Sequence, residues 1–411
     1  MLPGIKIKFD NGNLGSVVST ADGVFGLLAS SVAVADKFEL NTPYVVKGMV
    51  DVANLGILPS IDNYNLYKSL KEFYEEAGEG TELWLMGMPK NQNVSVWFTP
   101  DPSTGKAPAE KLLDSANGKL TLLFTKAYWE DDVYPNGQEL GLDEDVFETI
   151  NKAQLLADNY TKKKFAPFIV LIEGLYFNYN HIELDDLNEY SNNRVAVFIG
   201  DTAKSADDPT GLGIYAANHI LAGRLAKFKV HENAGKVKNG ALATLTAFIK
   251  DTPAELYDVE SLHDKGYITF RTHVRKSGYY ISDDPLATAE SDDYHYITRR
   301  RVIDKAYRLA HNIASTEILA DFDLNNDGTI SPFYAKTVEG NIEREIAAQM
   351  TANGELSANP NDKDDLGVRA IFDLTKNVST TNRIELKLRV RPKGYARWFD
   401  INLGYDVTLN N

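Results

Sequence analysis

Near the start of the chain Ile5, Ile7 and Phe9 alternate with Lys6 and Lys8, the two-residue period of a strand with one apolar face. Pro3, Gly4, Gly12 and Gly15 bracket it, so residues 1–18 read as an extended arm. A continuous apolar run from Val24 to Ala35 then predicts a buried strand, and "NTPYVVKGMV" a second one entered through Pro43. The period changes next: Leu66, Leu70, Phe73, Tyr74 and Ala77 fall at i, i+4, i+7, i+8 and i+11, one stripe of a helix. "AGEG" closes that helix and "TELWLMGM" resumes as a strand.

The same order repeats. "GKLTLLF" predicts a strand, "DEDVFETINKAQLLAD" a helix with acidic residues in its first turn, and "FAPFIVLIEG" and "RVAVFIGD" two further strands. Such alternation predicts an α/β layer on a mostly parallel sheet. "GIYAANHILAGRLAKF" adds a helix rich in Ala and Gly, small enough to pack closely on that sheet. From residue 261 the character changes to α+β. "GYITFRTHVRKSGYYISDD" reads as a hairpin turning at Ser277 and Gly278. A helix follows with Val302, Ala306, Leu309, Ala310 and Ile313 on one face, and another carries Val338, Ile342, Ile346 and Met350. The end, "RIELKLRVRPKGYARWFDINLGYDV", alternates Ile384, Leu386, Leu388 and Val390 with charged residues and predicts a long hairpin turning at Pro392 to Gly394. The division expected is an arm at 1–18, an α/β domain at 19–260, an α+β domain at 261–400 and a second arm strand at 401–411 carrying Ile401, Leu403 and Tyr405.

Composition narrows the function. A 43% apolar share among 411 residues fills real cores, and a formal charge of −15 excludes a general grip on nucleic acid, which needs clustered Lys and Arg. With no cysteine there is no disulfide, thiolate metal site or Cys nucleophile, and the seven His fall at no zinc-ligand spacing. The run from Val24 imitates a secretory signal, but acidic residues and glycines precede it where a signal begins basic, so it reads as a strand. No other segment approaches the length of a membrane span.

Candidate chemistry is sparse. "DFDLNNDGTISPF" places Asp323, Asn325, Asp327 and Gly328 at positions one, three, five and six of a calcium loop. Position twelve is Tyr334, which has no carboxylate, and Pro332 stands where the second helix should begin, so an Asx-rich turn competes with a bound structural calcium. "PSTGKAPA" fails the glycine spacing of a phosphate loop, and there is no GxSxG elbow. The adjacent pairs Asp131 with Asp132, Asp283 with Asp284 and Asp292 with Asp293 read as solvated turn residues, and no catalytic set converges. Arg299, Arg300 and Arg301 form a basic run in an acidic chain. Both ends read as lone strands, and a strand without an edge in its own domain finds one on a neighbour. A head-to-tail contact of that kind that does not close gives a ring stack or tube.

These segments, in this order, resemble the contractile-tail sheath proteins of bacteriophages and related injection systems, in particular those of Mu-like prophages. "LPGIKI" resembles the opening of sheath chains and "GVFGLLASS" the strand after it. "LNTPYVVKG" with "LYKSLKEFYEEAGEGTELWLM", and "NHILAGRLAKFKVHENAGKVKNGAL", are similar to later family segments. "GYYISDDPLATAESDDYHYITRRRVIDKAYRLA" resembles the sheath segment with a glycine-led strand, an aspartate-rich turn and a YxxxRR helix start. The resemblance implies a non-enzymatic sheath subunit that forms hexameric rings stacked helically around an inner tube and contracts without nucleotide or other cofactor. Its implied partners are further copies, the tube protein, and baseplate and terminator proteins, in a virion tail or injection particle assembled in the bacterial cytoplasm without membrane insertion. Ile5, Ile7 and Phe9 would then be one inter-subunit arm and Ile401, Leu403 and Tyr405 the other, with Arg299, Arg300 and Arg301 bridging acidic patches or facing the tube. A calcium-stabilised extracellular binding protein is the alternative reading, and a hydrolase the third.

Overall fold

A computed structural model describes residues 21–128, 138–178, 180–204, 207, 215–362 and 364–405. The strand expected at Ile5, Ile7 and Phe9, and the pair Asp131 and Asp132, lie outside them. The chain divides after Asn312 into two compact units, described separately below.

The first unit is built on a six-stranded sheet of β1 (Phe25–Ser30), β2 (Pro43–Val46), β3 (Leu83–Met88), β4 (Leu122–Lys126), β5 (Ile169–Glu173) and β6 (Val195–Phe198). Their spatial order is β2-β3-β1-β4-β5-β6, parallel throughout except for β2, which runs antiparallel on the β3 edge. The chain therefore leaves β1 to one side and later returns to its other side at β4, the reversal that marks a doubly wound sheet. Helices cover both faces, which is why every residue of β1, β4 and β5 is buried and the strands read as unbroken apolar runs.

On one face Phe25, Leu27 and Ala29 pack with α1 (Tyr64–Ala77) and with a later helix, Asn218–Lys227. On the other, Val24 and Leu28 pack with α2 (Pro108–Ser115) and α3 (Glu144–Lys164). The five stripe residues of α1 are all buried, and Gly78, at a φ of 88°, ends the helix as the sequence expects. The Asp143 carboxylate accepts from the Asp145 N–H at the start of α3, and Lys162, Lys163 and Lys164 close its last turn where cations suit the helix dipole. Asn218–Lys227, now α4, crosses α1 closely at Gly223. An added Cβ there would stand 2.7 Å from the Phe73 carbonyl oxygen and 2.9 Å from Glu76 Cβ. The hairpin expected around Gly278 pairs Phe270–Arg271 with Tyr280–Ile281. It leads to α5 (Ile297–Thr316), where Val302 and Ala306 are buried and the later stripe residues are only half-buried.

The second unit contains α6 (Pro332–Ile346) and an antiparallel pair, β7 (Val368–Phe372) with β8 (Leu386–Val390). Pro332 opens α6 at its first turn, where the missing N–H costs nothing, so it starts the helix that the sequence reading had it block. The terminal hairpin is also corrected. β8 pairs with β7 in the register Val368↔Val390 through Phe372↔Leu386, and no strand follows the Pro392 to Gly394 segment within the described residues. The reason is the apolar match: Val368, Ala370 and Phe372 share one face with Leu386, Leu388 and Val390 and pack on α6. The mixed α/β class is the one expected.

Helix propensity alone would make Gly223→Ala stabilising by about 1 kcal/mol. The close approach to α1 reverses the sign, and the substitution is expected to destabilise the chain by about 1–3 kcal/mol in urea unfolding.

Candidate assembly surfaces

The two edges of the β7–β8 sheet are treated differently. On the outer edge of β7, the Ala370 N–H donates to Glu343 Oε1 at 2.8 Å and the Phe372 N–H to Glu339 Oε1 at 2.7 Å. Two carboxylates one helical turn apart on α6 thus take the place of a neighbouring strand. Among the described residues β8 has no such cover. Among the described residues the outward N–H groups of Leu386, Leu388 and Val390 find no partner, while the Leu388 carbonyl accepts from the Arg389 guanidinium at 3.1 Å. The side chains of Leu386, Leu388 and Val390 are half-buried, so the apolar face under this edge is itself incomplete.

Beyond β8 the Ser357 N–H donates to the Arg391 carbonyl and Leu356 bridges Pro392. From there to Tyr405 the chain has neither helix nor strand. Trp398, Phe399, Ile401, Leu403 and Tyr405 are 82–100% exposed, a density of bare apolar side chains that a folded chain does not normally present to water. The candidate residues Ile401, Leu403 and Tyr405 therefore sit on an unpaired segment of the unit that offers the unpaired edge.

The arginine run is used largely within the first unit. The Arg301 guanidinium is buried and donates to the Asp22 and Phe228 carbonyls at 3.2 and 3.3 Å. Arg300 stands over the Tyr294 ring and 3.5 Å from Asp304, which also forms a two-pronged pair with buried Arg194. Arg308 donates to the carbonyls of Gly118, Leu120 and Pro167, the entries to β4 and β5. These contacts lock α5 across the N-terminal ends of the strands. Arg299 is half-buried over the Tyr296 ring and is the member of the run least engaged by the fold.

The Asp323 loop holds its shape through its own side chains. Thr329 donates its N–H and hydroxyl to Asp327 Oδ1 at 3.0 and 2.7 Å, Asn325 donates to Thr329, and Gly328 takes a φ of 78°. Tyr334, at the twelfth position, donates its hydroxyl to Glu317 at 2.7 Å. Among the described residues no three or more His, Cys, Asp or Glu stand together as a metal set.

Two expectations about acidic residues change. Asp284 is fully buried rather than solvated: its carboxylate accepts from the Thr298 N–H at the start of α5, and the Asn233 amide donates to both Asp283 and Asp284. A convergent charged set also exists, at the C-terminal ends of the parallel strands, where doubly wound sheets hold ligands. Lys126 at the end of β4 donates to Glu173 at the end of β5 and to the Ala216 carbonyl. Lys68 on α1 donates to Asp201 at 2.9 Å, and His219 meets Glu72 at 2.6 Å. Because a carboxylate only accepts, His219 Nε2 carries the proton. Burial would raise the Asp201 carboxyl, but the Lys68 and Lys126 ammoniums hold it down to about 2. Burial drives His219 down to about 4, against the pull of Glu72. Here the members satisfy one another. The signal in the sequence was a single charge ending an apolar strand run, in "TLLFTK" and "FIVLIE".

The fold is similar to that of chains from contractile injection particles. It superposes on a chain of the anti-feeding prophage baseplate with a TM-score of 0.60 at 14% identity, covering 99% of both chains. The contracted baseplate of the same particle gives 0.62 at 15% identity, again covering 99% of each. A chain of the PVC sheath complex, from an extracellular contractile injection system in the contracted state, gives 0.59 at 14% identity over 99% of this chain and 98% of that one. By sequence the chain belongs to the DUF2586 family: the family's N-terminal domain matches residues 2–285 and its C-terminal domain residues 293–410. No curated protein matches it. No helix among the described residues is long and apolar enough to cross a membrane.

The unfolded chain protonates a histidine near 6.5 whereas folded His219 resists until about 4, so the unfolded state binds more protons in that window. Unfolding free energy is therefore expected to fall as pH drops from 6.5 toward 4. His219→Gln, which keeps a donor for Glu72, should flatten this slope in urea titrations, by up to about 1.4 kcal/mol per pH unit.

Proposed function

We propose that this chain is the structural subunit of a contractile sheath, polymerising as stacked hexameric rings around an inner tube and contracting to drive the tube through a target envelope. The observation that carries the reading is the coexistence, in one chain, of the open β8 edge and the bare apolar segment from Trp398 to Tyr405. Each supplies what the other lacks. In a polymer the segment of one copy completes the sheet of the next, which is strand addition between copies.

Burying each large apolar side chain contributes about 1.5–3 kcal/mol, while ordering each residue's backbone costs about 1–2 kcal/mol. Over Trp398 to Tyr405 the five large apolar side chains offset most of that ordering cost. The backbone hydrogen bonds, net about 0.5–1.5 kcal/mol each, fix the register of the pairing.

The likeness in fold to chains of baseplate and sheath assemblies supports this reading, and with it association with baseplate, terminator and tube proteins in a tail or injection particle built in the bacterial cytoplasm. Ile5, Ile7 and Phe9 take the role of the second arm, and Arg299 that of an inter-subunit contact. The first unit, whose buried charges at the strand ends pair with one another, acts as the rigid body that slides and rotates between two packings, so that no catalysis or nucleotide enters. The Asp323 loop serves as a self-supported turn.

Negative-stain electron microscopy over a concentration series, beside variants lacking residues 1–18 or residues 396–411, tests this. Rings or striated tubes are expected from the intact chain and neither from the truncations. Uniform monomers at all concentrations, or unchanged tubes after both truncations, would overturn it.

A further inference from the structure

The first unit carries two exposed surfaces of opposite charge that its own fold keeps apart. Residues 227–238, at the end of α4 and beyond it, hold four lysines against one acid, Glu232, which pairs with Lys236 at 3.0 Å. The hairpin beside them adds Arg271, Arg275 and Lys276, all exposed, and no acid between 268 and 280. The Leu242 N–H joins the two segments by donating to the Tyr279 carbonyl at 2.8 Å. Burial first, and then the charges of Arg271 and Lys276, lower the pKa of His273, so the surplus of cations is felt locally. The acidic surface is built from residues 183–189, with four acids and no Lys or Arg, and residues 258–264, with three more acids. The Leu187 N–H donates to the Lys265 carbonyl at 2.9 Å and the Asn188 amide to the Asp264 carbonyl at 2.8 Å, which makes these loops one surface. Lys265 turns its ammonium away, to the Ile182 and Leu184 carbonyls. Among the described residues Glu183, Glu189, Glu260 and Asp264 make no ion pair, and neither do Lys238, Arg271, Arg275 and Lys276. Each surface also bares an apolar side chain, Ile182 at 78% exposure on the acidic one and Val274 at 91% on the basic one.

Leu187 and Leu262, beneath the acidic loops, pack with the α2–α3 face of the sheet, whereas Leu242 and Ile281, beneath the basic segments, pack with the α1–α4 face. On opposite faces the two surfaces cannot neutralise one another within one copy. Resting on the polymer reading above, we propose that they are the two halves of a head-to-tail contact between first units: the acidic loops of one copy seat on the basic hairpin and loop of the next. A second copy is the partner whose charge matches, since four and three acids on one side meet four and three cations on the other. Nucleic acid is disfavoured as the partner of the basic surface by the net charge of −15 around it. Ile182 and Val274 give the contact an apolar centre within a charged rim. Because each copy uses a different surface toward each neighbour, the contact leaves one of each free and propagates. Charges of this kind set orientation and encounter rate, and salt screens them.

Charge reversal in the full-length chain, followed by pelleting and negative-stain microscopy over a concentration series, tests this. Arg275→Glu with Lys276→Glu, or Glu183→Lys with Glu260→Lys, is expected to raise the concentration at which polymer appears by about tenfold, since each places like charges across the contact. All four substitutions in one chain restore attraction with the signs exchanged, and so does an equimolar mixture of the two doubly substituted chains; both are expected to assemble near the concentration of the unaltered chain. On the unaltered polymer, carbodiimide coupling of mixed isotopically light and heavy chains should join Lys238 or Lys276 to acids within 183–189 or 258–264 in light–heavy pairs. Reversals without effect on either surface, an effect confined to the basic one, or a mixture and a folded fourfold variant that both fail to assemble would overturn the proposal and leave the sheath reading standing. An unaltered chain that forms no polymer at any concentration overturns both.

Discussion

A β-strand edge presents a fixed row of donors and acceptors, and among the described residues the second unit of this protein leaves one such row unpaired. A two-stranded sheet is only marginally stable by itself. Here it is supported beneath by α6 and sealed along β7 by Glu339 and Glu343, so the deficiency is confined to β8. Confinement matters. A sheet open on both sides could collect strands without limit, whereas one open on a single side accepts a defined partner in a defined direction. The exposed segment after Pro392 is a complementary deficiency in the same chain, and the proposed strand addition between copies would satisfy both.

The first unit is built on the opposite principle. Its sheet is covered on both faces, the strand entries are clamped by Arg308, and Arg194 ties β6 to α5 through Asp304. At the strand exits, Lys126, Glu173, Lys68, Asp201, Glu72 and His219 pair among themselves. Breaking one member of such a buried network leaves an uncompensated charge, which is costly and keeps the arrangement rigid. Rigidity in one unit and unsatisfied bonding in the other are the two properties that the proposed sheath subunit requires.

Much of this was legible in the sequence. The unbroken runs at Phe25, Leu122 and Ile169 announced strands buried on both faces, and the stripe from Leu66 to Ala77 announced α1, because burial imposes those periods directly. The hairpin predicted at the C-terminus failed for a tertiary reason: Val368–Phe372, not marked as a strand, offered β8 a better apolar match than the residues following it in sequence. The buried charges escaped notice because no period encodes them. Lys126 and Glu173 become partners only when two strands lie side by side, and Asp284 looked like a surface aspartate until α5 began upon it. Arg301 misled in the same way, since a basic run looks exposed until its carbonyl partners from distant segments are known.

Residue-level amide hydrogen exchange, compared between dilute chain and assembled polymer, tests whether the β8 edge is open in a single copy and covered by a neighbour. An edge filled by strand addition requires that the amides of Leu386, Leu388 and Val390 exchange freely in the dilute chain and become protected on assembly, while those of Ala370 and Phe372 are protected in both. Protection of the β8 amides that is already complete in the monomer, or that fails to rise in the polymer, would contradict it.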